Sequence, residues 1–206
     1  ELRYEALKGE VFYSGYRQIK GNAYLTDDWI TGTVYLKSGG VIPDVQYKFD
    51  TYAHRIVVYQ DKLKRLVIPE KFDIDHFTFT ETGRNRTFIS VNAELTSKKV
   101  LQQYFLEELS KGKIAFYKLF INSVLPLKTP EMPFIDEFIP KVDYYIFYNN
   151  RYDVAKLKKS YIIKKFPQYK RGIKKFTREN KLRLRKEDDF AETINFLNIL
   201  INSSSN

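Results

Sequence analysis

The sequence predicts an α+β protein: a mostly antiparallel β meander, built as a curved sheet, an open sandwich or a partial barrel, followed by a C-terminal basic helical segment. Three observations carry that prediction. Tyr and Phe number sixteen each, against one Trp and one Met, a composition that leans toward strands. Up to Asn150 apolar residues recur at a period of two between turn residues, and beyond it they recur at helical spacing. Charge changes character at the same place. Residues 151–186 hold 15 Lys/Arg and 2 acids, a net of +13, while the rest of the chain holds 20 basic and 23 acidic groups. Two regions are expected: an antiparallel β body over 1–150, and basic helices over 151–206 packing on or beside the sheet.

The elements follow in order. In "DDWITGTVYL" the two acids make a turn, and Ile30, Val34 and Leu36 alternate with Thr31, Thr33 and Tyr35 as a strand. Val45, Tyr47 and Phe49 alternate with Gln46, Lys48 and Asp50 in a second strand. "HRIVVYQDKLKRLVIP" reads as two strands joined near Asp61 and closed by Pro69. "DHFTFTETGRNRTFISVNAE" is a hairpin turning over Thr82–Asn85, and "YFLEELSKGKIAFYKLFI" is another, pivoting at Lys111–Gly112. The three prolines of "LKTPEMPFIDEFIP" mark a loop, and "KVDYYIFYNN" is the last strand, closed by Asn149–Asn150. Three helices follow. "KLKKSYIIKKF" is stopped by Pro167, "YKRGIKKFTREN" turns Ile173 and Phe176 inward, and "KEDDFAETINFLNILI" has acids in its first turn and a stripe of Phe190, Ile194, Leu197 and Ile201.

At 206 residues and 43% apolar, the chain supports a real core. No apolar run is long enough to cross a bilayer. Cysteine is absent, which excludes disulfides, thiolate zinc sites, iron–sulfur clusters and cysteine nucleophiles. The chain begins at Glu1 and its only methionine is Met132, so removal of an N-terminal segment is expected, a cleaved signal peptide first.

Candidate chemistry is sparse. Asp27 and Asp28 lead into a strand whose neighbouring side chains diverge, so they read as turn residues, with Trp29 packed at the mouth of the sheet. His54 and His76 are the only histidines and are expected at the surface or an edge. "DIDH" places Asp73 and Asp75 on one strand face and His76 on the other, which works against convergent metal ligands. There is no GxGxxG, no GxxxxGK[ST] and no nucleophile elbow. No catalytic, metal-binding or cofactor-binding residue is therefore assigned and no cofactor is expected; Asp27, Asp28, Asp73 and Asp75 are weak candidates for a hydrolase. "NRT" at 85–87 and "NSS" at 202–204 match the N-glycosylation acceptor pattern.

The basic tract is the strongest signal. Lys158, Lys159, Lys164, Lys165, Lys170, Arg171, Lys174 and Lys175 come as four doublets, interleaved with Tyr161, Phe166, Tyr169 and Phe176. Such a tract is expected to meet an anionic lipid surface or an acidic protein. Nucleic acid is a weaker third choice, because no recognised binding motif accompanies the charge.

"GNAYLTDDWITGTVYLKSGG", "YKFDTYAHRIVVY", "IPEKFDIDHFTF" and the ending "LKKSYIIKKFP…IKKFTRENKLRLRKEDDFAETINFLN" together resemble a group of uncharacterised exported proteins of Bacteroidota. The resemblance implies export, to the periplasm or the periplasmic face of the outer membrane, and no reaction. It also suggests a setting among accessory subunits of outer-membrane machines, such as the type IX secretion translocon or nutrient-uptake porters. The expectation is a non-enzymatic envelope protein that docks on a protein partner or anionic surface. The alternative is a periplasmic carrier of a lipid or other apolar ligand.

Overall fold

A computed structural model describes residues 7–12, 16, 19–91, 99–127 and 135–203. The described residues form twelve strands: β1 (Gly9–Val11), β2 (Ile19–Lys20), β3 (Ile30–Leu36), β4 (Val41–Asp50), β5 (Arg55–Gln60), β6 (Arg65–Pro69), β7 (Ile74–Glu81), β8 (Arg84–Ser90), β9 (Phe105–Ser110), β10 (Ala115–Leu127), β11 (Ile135–Tyr148) and β12 (Arg151–Ala155). Helices α1 (Lys159–Lys165), α2 (Lys170–Glu179) and α3 (Glu187–Ser203) follow. Strand order is β1-β6-β5-β4-β3-β7-β8-β9-β10-β11-β12, with β2 added to β11. Apart from the two-residue parallel pairing of β2 with β11, the ladders with a described register are antiparallel. β1 and β12 end the order without pairing to each other, so the curved sheet is not closed into a barrel. The protein is α+β, as the alternation predicts.

Hairpin chemistry explains the register. Thr82 (φ 49°) and Gly83 (φ 79°) are both left-handed between β7 and β8, and Asn149 (φ 51°) and Asn150 (φ 56°) repeat this between β11 and β12. Two-residue turns of this kind match the twist of the strands they join.

Two predicted boundaries are corrected. The stretch 127–140 is not simply a loop: Leu127 ends β10, and β11 already runs from Ile135 through Pro140, while 128–134 lies outside the described residues. Pro140 fits because β2 pairs with β11 at Asp136 and Glu137 and β12 pairs with it from Tyr144 to Tyr148. The proline falls between the two stretches, where no described partner on that side needs its missing N–H. Nor is "KVDYYIFYNN" the last strand, since β12 follows it.

The chain divides into two compact units. Of the described residues, the first holds those within 7–91, 99–107 and 120–142, and the second holds those within 108–119 and 143–203. The first unit is cored by aromatic rings. Phe77 and Phe88 stack at 5.1 Å, with Phe49 and Phe105 edge-on to Phe77 at 5.3 and 5.1 Å, and Ile42, Val45, Ile56 and Val58 fill around them.

In the second unit the helices share a core with that unit's own strand segments. Ile114, Phe116, Ile146 and Ala155 meet Ile162, Phe166, Ile173, Phe190, Ile194, Leu197 and Ile201. Asn198 of α3 clamps the Lys111–Gly112 turn: its Oδ1 accepts from Ile114 N at 2.8 Å, and its Nδ2 donates to Ile114 O at 2.8 Å. A Cβ at Gly112 would lie 2.5 Å from that amide nitrogen, so glycine there is a steric requirement. Among the described residues no helix is long and apolar enough to cross a membrane.

Candidate functional site

The basic helices are positioned by what they bury. α1 turns Ile162 into the core and ends at Phe166, whose buried ring sits 5.3 Å from Tyr148, before Pro167. α2 buries Ile173 and Thr177 and stacks Phe176 on Phe196 at 4.1 Å. These anchors leave the lysines on the opposite faces. Of the eight predicted partner-binding residues, Lys158, Lys159, Lys164, Lys170, Arg171, Lys174 and Lys175 are exposed. Lys165 is not available. Its side chain is 18% exposed and its Nζ lies 2.8 Å from Asp153 Oδ2, and that hydrogen bond holds the Asp153 carboxyl below its ordinary range. Apolar contacts of α1 turn Lys165 inward, away from its doublet partner Lys164.

The fold assembles a cationic hollow that the doublets alone do not describe. Lys158, Lys159 and Ser160 at the start of α1 meet Leu182, Arg183, Leu184 and Arg185 around a hollow of about 470 Å³. Leu184 is buried in the core and Leu182 is half-buried against it, while Arg183 and Arg185 are exposed and line the same hollow. The main chain around them is tied down: Leu182 N donates to Thr177 O at 2.9 Å, Lys186 N to Arg183 O at 2.8 Å, and Arg183 N to Asp189 Oδ2. Among the described residues, none of the four cations has an ion pair. Lys158 and Lys159 also sit at the N-terminal end of a helix with no acid in its first turn, where the backbone dipole disfavours cations. Arg183 and Arg185 belong to the "KLRLR" stretch, whose alternation is the signal that could have found them.

In the first unit the acidic candidates stay apart. Asp27 accepts from the Asn22 side chain, and its carbonyl accepts from Lys48 Nζ. Asp28 is exposed, and its carbonyl accepts from Thr26 Oγ1 at 3.0 Å. Both precede β3 in a bend, so "DDW" is the entry to a strand. Trp29 packs one side against Tyr59, ring centroids 6.0 Å apart, and remains 43% exposed. No group of three or more His, Asp or Glu among the described residues could hold a metal ion.

One of the two histidines needs correction. His54 is not at the surface: it is 3% exposed, at φ 50° in the turn after β4, packed on Tyr104 at 4.2 Å and Phe49 at 6.0 Å. Neither ring nitrogen has a hydrogen-bond partner among the described residues, and the same holds for buried Lys71 Nζ. Burial first, and Lys71 second, push His54 down to about 3; burial first, and Lys37 second, push Lys71 down to about 8. His76 is half-buried and stacks on Tyr35 at 4.0 Å, and its Nδ1 lies 2.7 Å from Asp75 Oδ2. Strand alternation would separate the two side chains, but the β3–β7 register shifts between Tyr35, opposite His76, and Leu36, opposite Ile74, leaving Asp75 at the irregularity.

Two polar features were not anticipated. Asp50 is fully buried; its Oδ1 accepts from the Tyr52 and Ala53 amides at 3.0 and 2.8 Å, and its Oδ2 from Tyr16 Oη at 2.8 Å. An Asp whose carboxylate caps the amides two and three residues on is turn chemistry, which makes Asp50 a structural acid. Separately, an open cleft of about 520 Å³ is lined by Tyr24, Phe120, Phe138, Asp27, Thr51 and Asn122 among others. Asn122 donates to Asn22 O and Thr51 Oγ1 at 3.0 and 2.9 Å, while its buried Oδ1 has no partner among the described residues.

No protein-family model, no curated protein and no solved structure matches the chain. Fold and site therefore define a class alone: an antiparallel β protein that carries an uncompensated cationic helical surface.

Proposed function

We propose that this is a non-enzymatic interaction protein of the cell envelope, which docks on an anionic partner through its basic helices. One observation carries the reading: Lys158, Lys159, Arg183 and Arg185 gather on one surface with no carboxylate paired to them among the described residues. Like charges held together and not ion-paired raise the free energy of the isolated chain and are relieved by a bound anion. The envelope setting, at an outer-membrane secretion or uptake machine, rests on the resemblance to exported Bacteroidota proteins. Near an anionic membrane each Lys or Arg contributes about 1 kcal/mol, so seven exposed doublet residues and two arginines suffice for salt-sensitive attachment. Cosedimentation with phosphatidylglycerol vesicles tests it. Binding at low salt that disappears at high salt, and is absent from neutral vesicles, is expected. Equal binding to both vesicle types, or to neither, contradicts the reading.

The carrier reading is favoured by a different observation, the 520 Å³ cleft of the first unit. Its lining mixes aromatic rings with Asp27, Thr51 and Asn122, so it suits a ligand with polar groups better than a bare acyl chain. Native mass spectrometry of freshly purified protein decides this: a bound mass supports a carrier, and a bare chain in every preparation speaks against it.

A further inference from the structure

We propose that the hollow ringed by Lys158, Lys159, Ser160, Arg183 and Arg185 is a binding site for a phosphoryl group, the chemical feature by which the docking surface selects its partner. The inference deepens the docking reading and rests on it for its setting.

The chemistry of the lining points to this ligand class. Two arginines, two lysines and a serine line the hollow, together with Leu182 and Leu184. The four charged groups are donors only, and no carboxylate or amide side chain joins them. A ligand that fits must therefore be nearly all acceptor. A phosphoryl group meets that condition, presenting oxygens in every direction. An acidic peptide does so less well, because it also brings main-chain N–H groups to a lining whose one side-chain acceptor is Ser160 Oγ. The pairing of arginine with lysine fits as well: guanidinium forks grip phosphate oxygens two at a time, and ammonium groups add point charge.

Pre-organisation separates this hollow from the rest of the basic surface. Lys170, Arg171, Lys174 and Lys175 lie on the outer face of α2 and are exposed. Arg183 and Arg185 instead flank Leu184, which is 5% exposed in the core, on main chain held by the bonds to Thr177, Lys186 and Asp189. The Asp189 carboxylate is the acid in contact with this segment, and one of its oxygens is committed to the Arg183 amide. A concave site of about 470 Å³ has the size of small-ligand pockets, roughly 300–1,000 Å³, and has room for a diphosphate or for the phosphate and linker of a lipid headgroup.

Calorimetric titration of the full chain with inorganic pyrophosphate at about 50 mM salt tests the site. Saturable binding at one site is expected. The double variant Arg183→Gln/Arg185→Gln should weaken it about tenfold or more, while Lys174→Gln/Lys175→Gln on α2 should change it by no more than about threefold. All four are exposed, so both variants are expected to fold. Absence of saturable binding to the wild-type chain overturns the proposal, as does equal weakening by the two variants, which would mean a diffuse field in place of a site. A second arm, cosedimentation with phosphatidate vesicles with and without saturating pyrophosphate, identifies the source. Displacement assigns the hollow to the lipid headgroup, and vesicle binding that persists assigns it to a soluble phosphorylated ligand. Pyrophosphate binding with no vesicle binding at all sinks docking on anionic lipid and leaves the phosphoryl site standing.

Discussion

The two units handle charge in opposite ways. The first takes it inside. Asp50 is fully buried, and Arg86 lies 5.2–5.4 Å from the Phe79, Phe88 and Phe120 rings while holding Glu107 with two hydrogen bonds and Glu81 with one. His54 and Lys71 are enclosed without hydrogen-bond partners among the described residues, against the rings of Tyr104 and Phe105 respectively. The second unit keeps most of its cations outside, Lys118 and Lys165 excepted, and satisfies buried polar groups through Asn198, Thr177 and Thr193. Charge buried in the first unit bears on stability and should respond to pH. Charge displayed by the second bears on binding and should respond to salt.

The largest effect should come from breaking the buried cluster of the first unit. Burial pulls Arg86 toward losing its proton, but the hydrogen bonds and charges of Glu107 and Glu81 outweigh it and hold the guanidinium above its ordinary range. Arg86→Met strands Glu107, which is 5% exposed, and should destabilise the protein by about 3–5 kcal/mol in urea denaturation. A loss below about 1 kcal/mol would mean that the charges are not buried as described.

Lys71 should behave in the opposite sense. Its ordinary value of 10.5 falls to about 8 in the folded chain, so the unfolded chain holds more protons between those values and stability rises with pH there. That stability is complete above 10.5 and is lost as pH falls through 8. At pH 7 the folded chain therefore carries a charge that has the Phe105 ring at 5.0 Å but no hydrogen-bond acceptor among the described residues, and Lys71→Met should stabilise it by about 1 kcal/mol, the side chain being only partly buried. A destabilised variant would reveal a partner for the ammonium group.

His54 extends the same contrast to lower pH. The unfolded imidazole takes its proton near 6.5 and the folded one near 3, so stability is complete above 6.5 and declines as pH falls toward 3. His54→Asn tolerates the left-handed backbone at that position and cannot titrate there. Melting temperatures across this range should fall less steeply for the variant; parallel curves would place the pH dependence elsewhere. The smallest effect on stability belongs to the second unit's surface, where Lys174→Gln/Lys175→Gln should change unfolding free energy by no more than about 0.5 kcal/mol.

Which parts were legible follows from how local each signal is. β3, β4, β7 and β8 declare themselves through alternation, β5 and β6 through apolar runs joined near Asp61, and β9 through the Lys111–Gly112 turn that follows it. The clamp by Asn198, 86 positions beyond Gly112 in the numbering, could not be read from the turn itself. β12 was hidden because its burial does not alternate: Tyr152 and Ala155, three positions apart, are buried while Val154 is 46% exposed, and the charges of the tract overshadow five residues. The start of β11 was hidden by prolines, whose breaking effect depends on where the partner strands lie. The eight doublet residues were found because charge is visible in sequence, and seven of them are indeed exposed. Convergence is not visible there. Lys158 and Lys159 meet Arg183 and Arg185 because Leu184 turns into a core built by three helices, and Lys165 leaves the surface because Asp153 of β12 stands beside it.

Residue-resolved NMR during a pyrophosphate titration addresses the central claim most directly. Amide signals of 158–160 and 182–186 should move together along one saturating curve, with those of β3 to β8 unmoved. Shifts spread evenly over α2 and the first unit, or no saturating shift at any residue, would contradict it.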